Sequence, residues 1–128
     1  FVIDIGGRQR MLTQKIAKES CMMTNMDGKA ETAEALAGSV QIFEVSLEAL
    51  RFGMPSVGIK EPPTPGIATG LGEVLTEWKS AKPALDAILA GDQLDDAADA
   101  QKYQALNTTM ATMNKVVSMY ADATKKDL

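Results

Sequence analysis

The sequence contains no histidine. That removes the commonest metal ligand, the usual haem ligand and the usual general base together. Cys21 stands alone, so no disulfide can form within the chain, and the redox compartment is left open. Aromatic residues make up only 5% of the chain while Ala and Met are plentiful, a mixture that helices tolerate better than sheets. No apolar run approaches the ~18 residues of a membrane span. No leader peptide is visible. No nucleophile is paired with a base, so the sequence does not read as an enzyme.

What is present suits one domain, taken over residues 1–128. A chain of 128 residues with 45% hydrophobic and 23% charged content can bury one core, and is too short for two. It opens on Phe1 inside a helical pattern and closes on Lys125, Lys126, Asp127 and Leu128, which reads as a piece of a longer protein. The net charge of −4 argues against nucleic acid as a partner. Its distribution is uneven. Arg8, Arg10, Lys15 and Lys18 against Asp4 give residues 1–18 a charge of +3, so the remainder carries −7 of the net −4. A basic first helix in an acidic protein is either a solvated face or a focused anion site.

Four helical segments are expected. The first spans about Val2 to Asn25, with Ile5, Leu12, Ile16 and Met23 in a narrow arc and Asp27-Gly28 as a stop signal. The second spans about Glu31 to Phe52, where Leu36, Val40, Phe43, Leu47 and Leu50 form a bundle seam. Residues 53–66, with Pro55, Pro62, Pro63 and Pro65, are too rich in proline and glycine to be helix and form one long connection. The third helix covers about Ile67 to Leu89, with a stripe of Leu71, Leu75, Trp78, Leu85 and Leu89, a kink or short break at Pro83, and an end at Gly91-Asp92. The fourth covers about Asp96 to Lys125, capped by Asp95 or Asp96, with Tyr103, Leu106, Met110, Met113, Val117 and Tyr120 as its seam. This predicts an all-α, antiparallel four-helix bundle with a long Pro/Gly-rich connection between the second and third helices.

At 100° per residue the apolar arc of the first helix centres near about 140°, while Gly7, Arg10, Met11, Gln14 and Lys18 lie between about 280° and 20°. Arg8 and Lys15 sit between these faces, near about 60–80°. A merely solvated face has little use for Gly7, since glycine costs roughly 1 kcal/mol against alanine inside a helix. Gly7 suits close approach of a second helix, most naturally the same helix of a second copy about a two-fold axis. Two copies of Arg10 near such an axis repel each other. A small planar monoanion between them cancels the repulsion and accepts charge-assisted hydrogen bonds of ~1.5–3 kcal/mol each. The plainer alternative is that Arg8 and Arg10 are surface charges with no ligand.

Other constellations point to structure. Cys21, Met22, Met23 and Met26 scatter around the helix and suit core filling better than a Cu(I) site. Asp92, Asp95, Asp96 and Asp99 lack the spacing of a calcium loop and fit helix capping. Glu44 with Glu48, and Glu73 with Glu77, lack the histidines of a di-iron bundle. Trp78, Tyr103 and Tyr120 read as packing residues. The sequence thus implies no metal and no cofactor.

The segment Ile5-Gly6-Gly7-Arg8-Gln9-Arg10-Met11-Leu12-Thr13-Gln14-Lys15-Ile16-Ala17-Lys18 resembles the signature of the PilJ-type sensor domain. The Leu50-Arg51-Phe52-Gly53 helix end, the helix carrying Trp78, and Met113-Asn114-Lys115-Val116-Val117 before Tyr120 extend the resemblance over essentially the whole chain. The motif Gly7-Arg8-Gln9-Arg10-Met11 is also similar to the Gly-x-x-Arg-Met nitrate segment of nitrate/nitrite sensor kinases. The resemblance implies the periplasmic input domain of an inner-membrane chemotaxis receptor, anchored by segments outside these residues. It further implies a homodimer that binds nitrate between its paired first helices. On that basis Arg10 is the principal ligand, Gly7 and Met11 line the site, and Gln14 closes it, with Arg8 and Lys15 flanking. Lys15 departs from the sensor-kinase pattern, where a second arginine occurs; lysine keeps the charge and lacks the planar fork. Two alternatives are a sensor of the same fold for another small anion or solute, and a dimerising protein-contact module with no small ligand.

Overall fold

The computed structural model describes residues 2–25 and 30–126. Four helices follow one another: α1 Val2–Asn25, α2 Ala30–Phe52, α3 Pro65–Leu89 and α4 Asp96–Lys126. Their ends follow local chemistry. Thr64 caps α3 by accepting from Ile67 N at 3.1 Å, and Pro65 opens the helix where its missing N–H is not needed. Gly91, at φ +90°, closes α3: its N–H donates to Ile88 O, and Asp92 N–H donates to Ala87 O. This paired return satisfies carbonyls left open at the helix end. Asp95 caps α4, accepting from Ala98 N at 2.7 Å.

Contacts run in a ring from α1 to α2, α3, α4 and back to α1. Neighbours are antiparallel. Gln9 meets Phe43 while Glu19 meets Ser39, and Arg10 meets Asn114 while Gly6 lies against Val117. The core is built from the α2 seam, all of it buried, with Ile67, Leu71, Val74, Trp78, Leu85 and Ile88 of α3 and Leu106, Met113, Val116 and Tyr120 of α4. Phe43 and Trp78 pack with ring centroids 4.3 Å apart. The indole N–H of Trp78 donates to Glu44 at 3.2 Å, and Lys82 pairs with the same carboxylate at 3.3 Å. The largest side chain of the core thus has its one polar atom satisfied.

Three expectations need correction. The 53–66 connection is not wholly free of helix. Pro55–Val57 makes one 3₁₀ turn, closed by an isolated bridge between Met54 and Ile59, and α3 already begins at Pro65. Proline is excluded from helix interiors, whereas a first helical position or a single tight turn accepts it. Second, the short break that Pro83 could cause does not occur, and α3 runs as one helix through it. Pro83 and Lys79 are both solvent-exposed, so the carbonyl that loses its helical partner can meet water. Third, the buried stripe of α1 is not the one the apolar residues mark. Gly6, Gln9, Thr13, Ile16, Glu19 and Ser20 are buried, whereas Ile5 and Leu12 are half-buried at its flank. The inward face centres at about 185° on the wheel, about 45° from the apolar arc. The Asp27-Gly28 stop signal and the side chain of Met23 lie outside the described residues.

Candidate functional site

The inward face of α1 is polar, and its groups have partners. Gln9 Nε2 donates to the Phe43 carbonyl of α2 at 2.9 Å. Thr13 Oγ1 donates to the Gln9 carbonyl at 2.9 Å, and Ser39 Oγ donates to Glu19 Oε1 at 2.8 Å. Thr13 thus satisfies its hydroxyl within α1, while the bonds of Gln9 and Glu19 lock α1 onto α2 without a run of leucines. Gly6 does the same on the other side. A Cβ placed there would stand 2.8 Å from Val117 Cγ2 and 3.4 Å from Met113 Cε, so the absent side chain is what lets α4 come close. Gln9, in the middle of the Gly7–Met11 motif, is therefore a bundle residue; one of its polar atoms, Oε1, is buried with no partner among the described residues.

The other motif residues point away from the bundle. Arg8, Arg10, Met11, Gln14 and Lys15 are all exposed, Met11 to 64%. Gly7 is half-buried, and a Cβ added there meets nothing within 4 Å. So α1 presents a wall about three turns long that carries four cations, Arg8, Arg10, Lys15 and Lys18, beside an exposed methionine and an open glycine. Like charges gathered on one side raise the local positive potential.

The two arginines stand in different surroundings. Arg10 leans toward α4, where its Nη1 donates to Asn114 Oδ1 at 2.8 Å. Arg8 borders a groove of about 240 Å³ between α1, α2 and the 54–59 turn, lined by Leu12, Ile42, Val45 and Val57 among others. Gly7, Arg10, Met11 and Gln14 thus share one surface, with Lys15 beside them, and Arg8 turns toward its edge. Asn114 is the residue that the sequence reading did not assign to this site. It lies one turn beyond Met110 and just short of one turn before Val117, on the edge of α4 that meets α1. That edge could be inferred from the α4 seam, but the pairing with Arg10 could not.

Comparison with known proteins places the chain in a family. The model of the PilJ family, described as the N-terminal part of a type IV pili methyl-accepting chemotaxis transducer, matches residues 2–103. No curated protein matches the chain. Among solved structures, the ligand-binding domain of the P. aeruginosa nitrate receptor McpN superposes with a TM-score of 0.81 at 25% sequence identity. The match covers 96% of this chain and 95% of that one. The fold, the motif at the head of α1 and the extent of the family match agree: the chain belongs to the PilJ family of chemotaxis-transducer sensor domains.

Proposed function

We propose that this domain is the periplasmic input module of an inner-membrane chemotaxis receptor, and that it binds nitrate between the first helices of a homodimer. The observation that carries this reading is the outward wall of α1: Arg10 exposed, Met11 and Gln14 beside it, and Gly7 open to a neighbour. The similarity to the ligand-binding domain of a nitrate receptor supports the choice of ligand.

The chemistry follows from symmetry. Pairing two α1 helices over Gly7 brings two copies of Arg10 together. Alone they repel, and a planar monoanion between them turns repulsion into two sets of charge-assisted hydrogen bonds. Nitrate is weakly hydrated, so little desolvation opposes its burial. Gly7 and Met11 line the site and Gln14 closes it. Arg8 and Lys15 raise the local positive potential without needing to touch the ligand. Binding and dimerisation are then coupled, each strengthening the other by the same factor. A change in α1 packing passes along α1 and α4 toward membrane spans outside these residues.

Calorimetric titration of nitrate into the purified domain, with sedimentation in parallel, tests this. Saturable heat and a nitrate-dependent shift toward dimer are expected. Arg10→Ala should weaken binding roughly a hundredfold, the loss of charge-assisted bonds from both protomers. No heat at millimolar nitrate defeats the ligand, and an unaffected Arg10→Ala variant defeats the site. A second reading, a protein-contact module without a small ligand, is favoured by the exposed Ile42, Val45 and Val57 beside Arg8. It predicts a dimer or a protein complex that ignores nitrate.

A further inference from the structure

We infer that Asn114 of α4 is a positioning residue for the anion site: its amide oxygen holds the Arg10 guanidinium in place and, being neutral, leaves the arginine's charge available to a bound anion. The inference rests on Arg10 being the anion ligand, as proposed above.

Arg10 is a long side chain on an exposed helix face, and an unsupported guanidinium there would sample many rotamers. The 2.8 Å bond from Nη1 to Asn114 Oδ1 fixes one of them. A guanidinium has donors only, so the contact also fixes the amide: its oxygen faces Arg10 and its NH₂ group is the other branch. The type of partner matters. An aspartate or glutamate at this place would hold Arg10 more tightly through a charge-assisted bond. It would also cancel the charge and occupy donors that an anion needs. Asparagine holds the arginine with one donor engaged and the positive charge intact. The four donors that remain can serve a planar oxyanion. Because Asn114 belongs to α4, the bond ties the ligand residue of α1 to the neighbouring helix, so that occupancy of the site is felt on both.

The test compares Asn114→Ala and Asn114→Asp with the unaltered domain, reading nitrate affinity by calorimetry and melting temperature without nitrate. Asn114→Ala should bind roughly three- to tenfold more weakly, the worth of one neutral hydrogen bond. Asn114→Asp should keep or raise the melting temperature and yet lose roughly thirtyfold or more in affinity, because the carboxylate competes with nitrate for Arg10. A merely structural role gives a different pattern, with Asn114→Asp as stable as the unaltered domain and binding as well. That result overturns the inference, and so does an Asn114→Asp loss that persists undiminished in an Arg10→Ala background. If the unaltered domain takes up no nitrate, the reading of the site fails and this inference falls with it. If it binds and Asn114→Asp binds equally, the inference fails alone.

Discussion

Gly6 and Gly7 are adjacent on α1 and meet opposite surroundings. A methyl group at Gly6 would press on Val117 at 2.8 Å, whereas one at Gly7 would meet nothing within 4 Å. The same contrast runs the length of the helix. On the inward face Gln9 and Glu19 are engaged in bonds to α2, and Thr13 bonds a carbonyl of its own helix. On the outward face Met11, Gln14 and Lys15 are exposed, and Arg10 is held by one neutral amide. Both faces are rich in polar and small residues, so residue type alone does not separate them. What separates them is whether the polar atoms are already used. The proposed binding surface is the face whose donors and charge the fold has not consumed.

Leucine substitutions at the two glycines should break that symmetry most visibly. Gly6→Leu forces a side chain against Val117, a stiff β-branched neighbour, and should cost about 1–3 kcal/mol in urea denaturation. Gly7→Leu should stabilise the dissociated domain by about 0.5–1 kcal/mol, since the site is open and leucine is the better helix former. It should still abolish nitrate-dependent dimerisation, because the added side chain stands where the second helix must come. Equal destabilisation by both substitutions would show that the outward face is buried in some other way. Unchanged dimerisation in Gly7→Leu would remove Gly7 from the site.

The next test concerns Gln9, which sits between the two arginines and belongs to the other face. Its amide nitrogen bonds Phe43 O, and its Oε1 is buried without a partner among the described residues. Gln9→Leu gives up one hydrogen bond and relieves one unsatisfied acceptor. Phe43, inside α2, keeps the carbonyl bond of its own helix. Stability should therefore change by no more than about 1 kcal/mol, and nitrate binding should persist. Loss of nitrate binding with stability intact would mean that the motif acts as a unit and that the division into faces is wrong at its centre.

Much of this architecture was legible because most of the bundle is built from apolar repeats. The 4, 3, 4, 3 spacing of Leu36, Val40, Phe43, Leu47 and Leu50 marks α2 without ambiguity, and all five residues are buried. α1 defeated the same procedure in one respect. Its buried stripe contains Gly6, Gln9, Thr13 and Ser20, which look like surface in a sequence, so Ile5 and Leu12 at its flank drew the inferred core toward α2. Lys102 shows a similar effect on α4. Its side chain is buried, with Nζ bonded to Asp99 at 2.9 Å and lying 4.0 Å from the Tyr103 ring, and nothing in the sequence distinguishes it from a surface lysine. The outward residues of α1 could be placed on one face by helical geometry. Their link to Asn114 could not, since 104 positions separate Arg10 from it and only the antiparallel packing of α1 on α4 brings them together.

Alkaline titration gives the finest test of the inward side, because its effect vanishes at neutral pH. Tyr103 of α4 has its hydroxyl pushed up to about 12, first by burial and next by a hydrogen bond to Cys21; Asp99 raises it further, and a bond to Ser20 opposes the shift. Burial moves Tyr120 in the same direction. The folded domain therefore holds these phenolic protons more tightly than the unfolded chain, which releases them near about pH 10. Stability from this source is whole below about pH 10 and is lost as the pH rises toward 12. Urea midpoints measured at intervals from about pH 9 upward should fall in this window, and Tyr103→Phe should flatten part of the fall while Tyr120 maintains the rest. Nitrate affinity, referred to the folded fraction, should stay level over the first part of the range, because Tyr103 meets α1 at Ser20 and Cys21, about three turns beyond Arg10. A slope unchanged by Tyr103→Phe would place that hydroxyl in water and open the inner side of α1 at Ser20 and Cys21. A loss of nitrate affinity that tracks Tyr103 would couple the two faces of α1, which the geometry keeps apart.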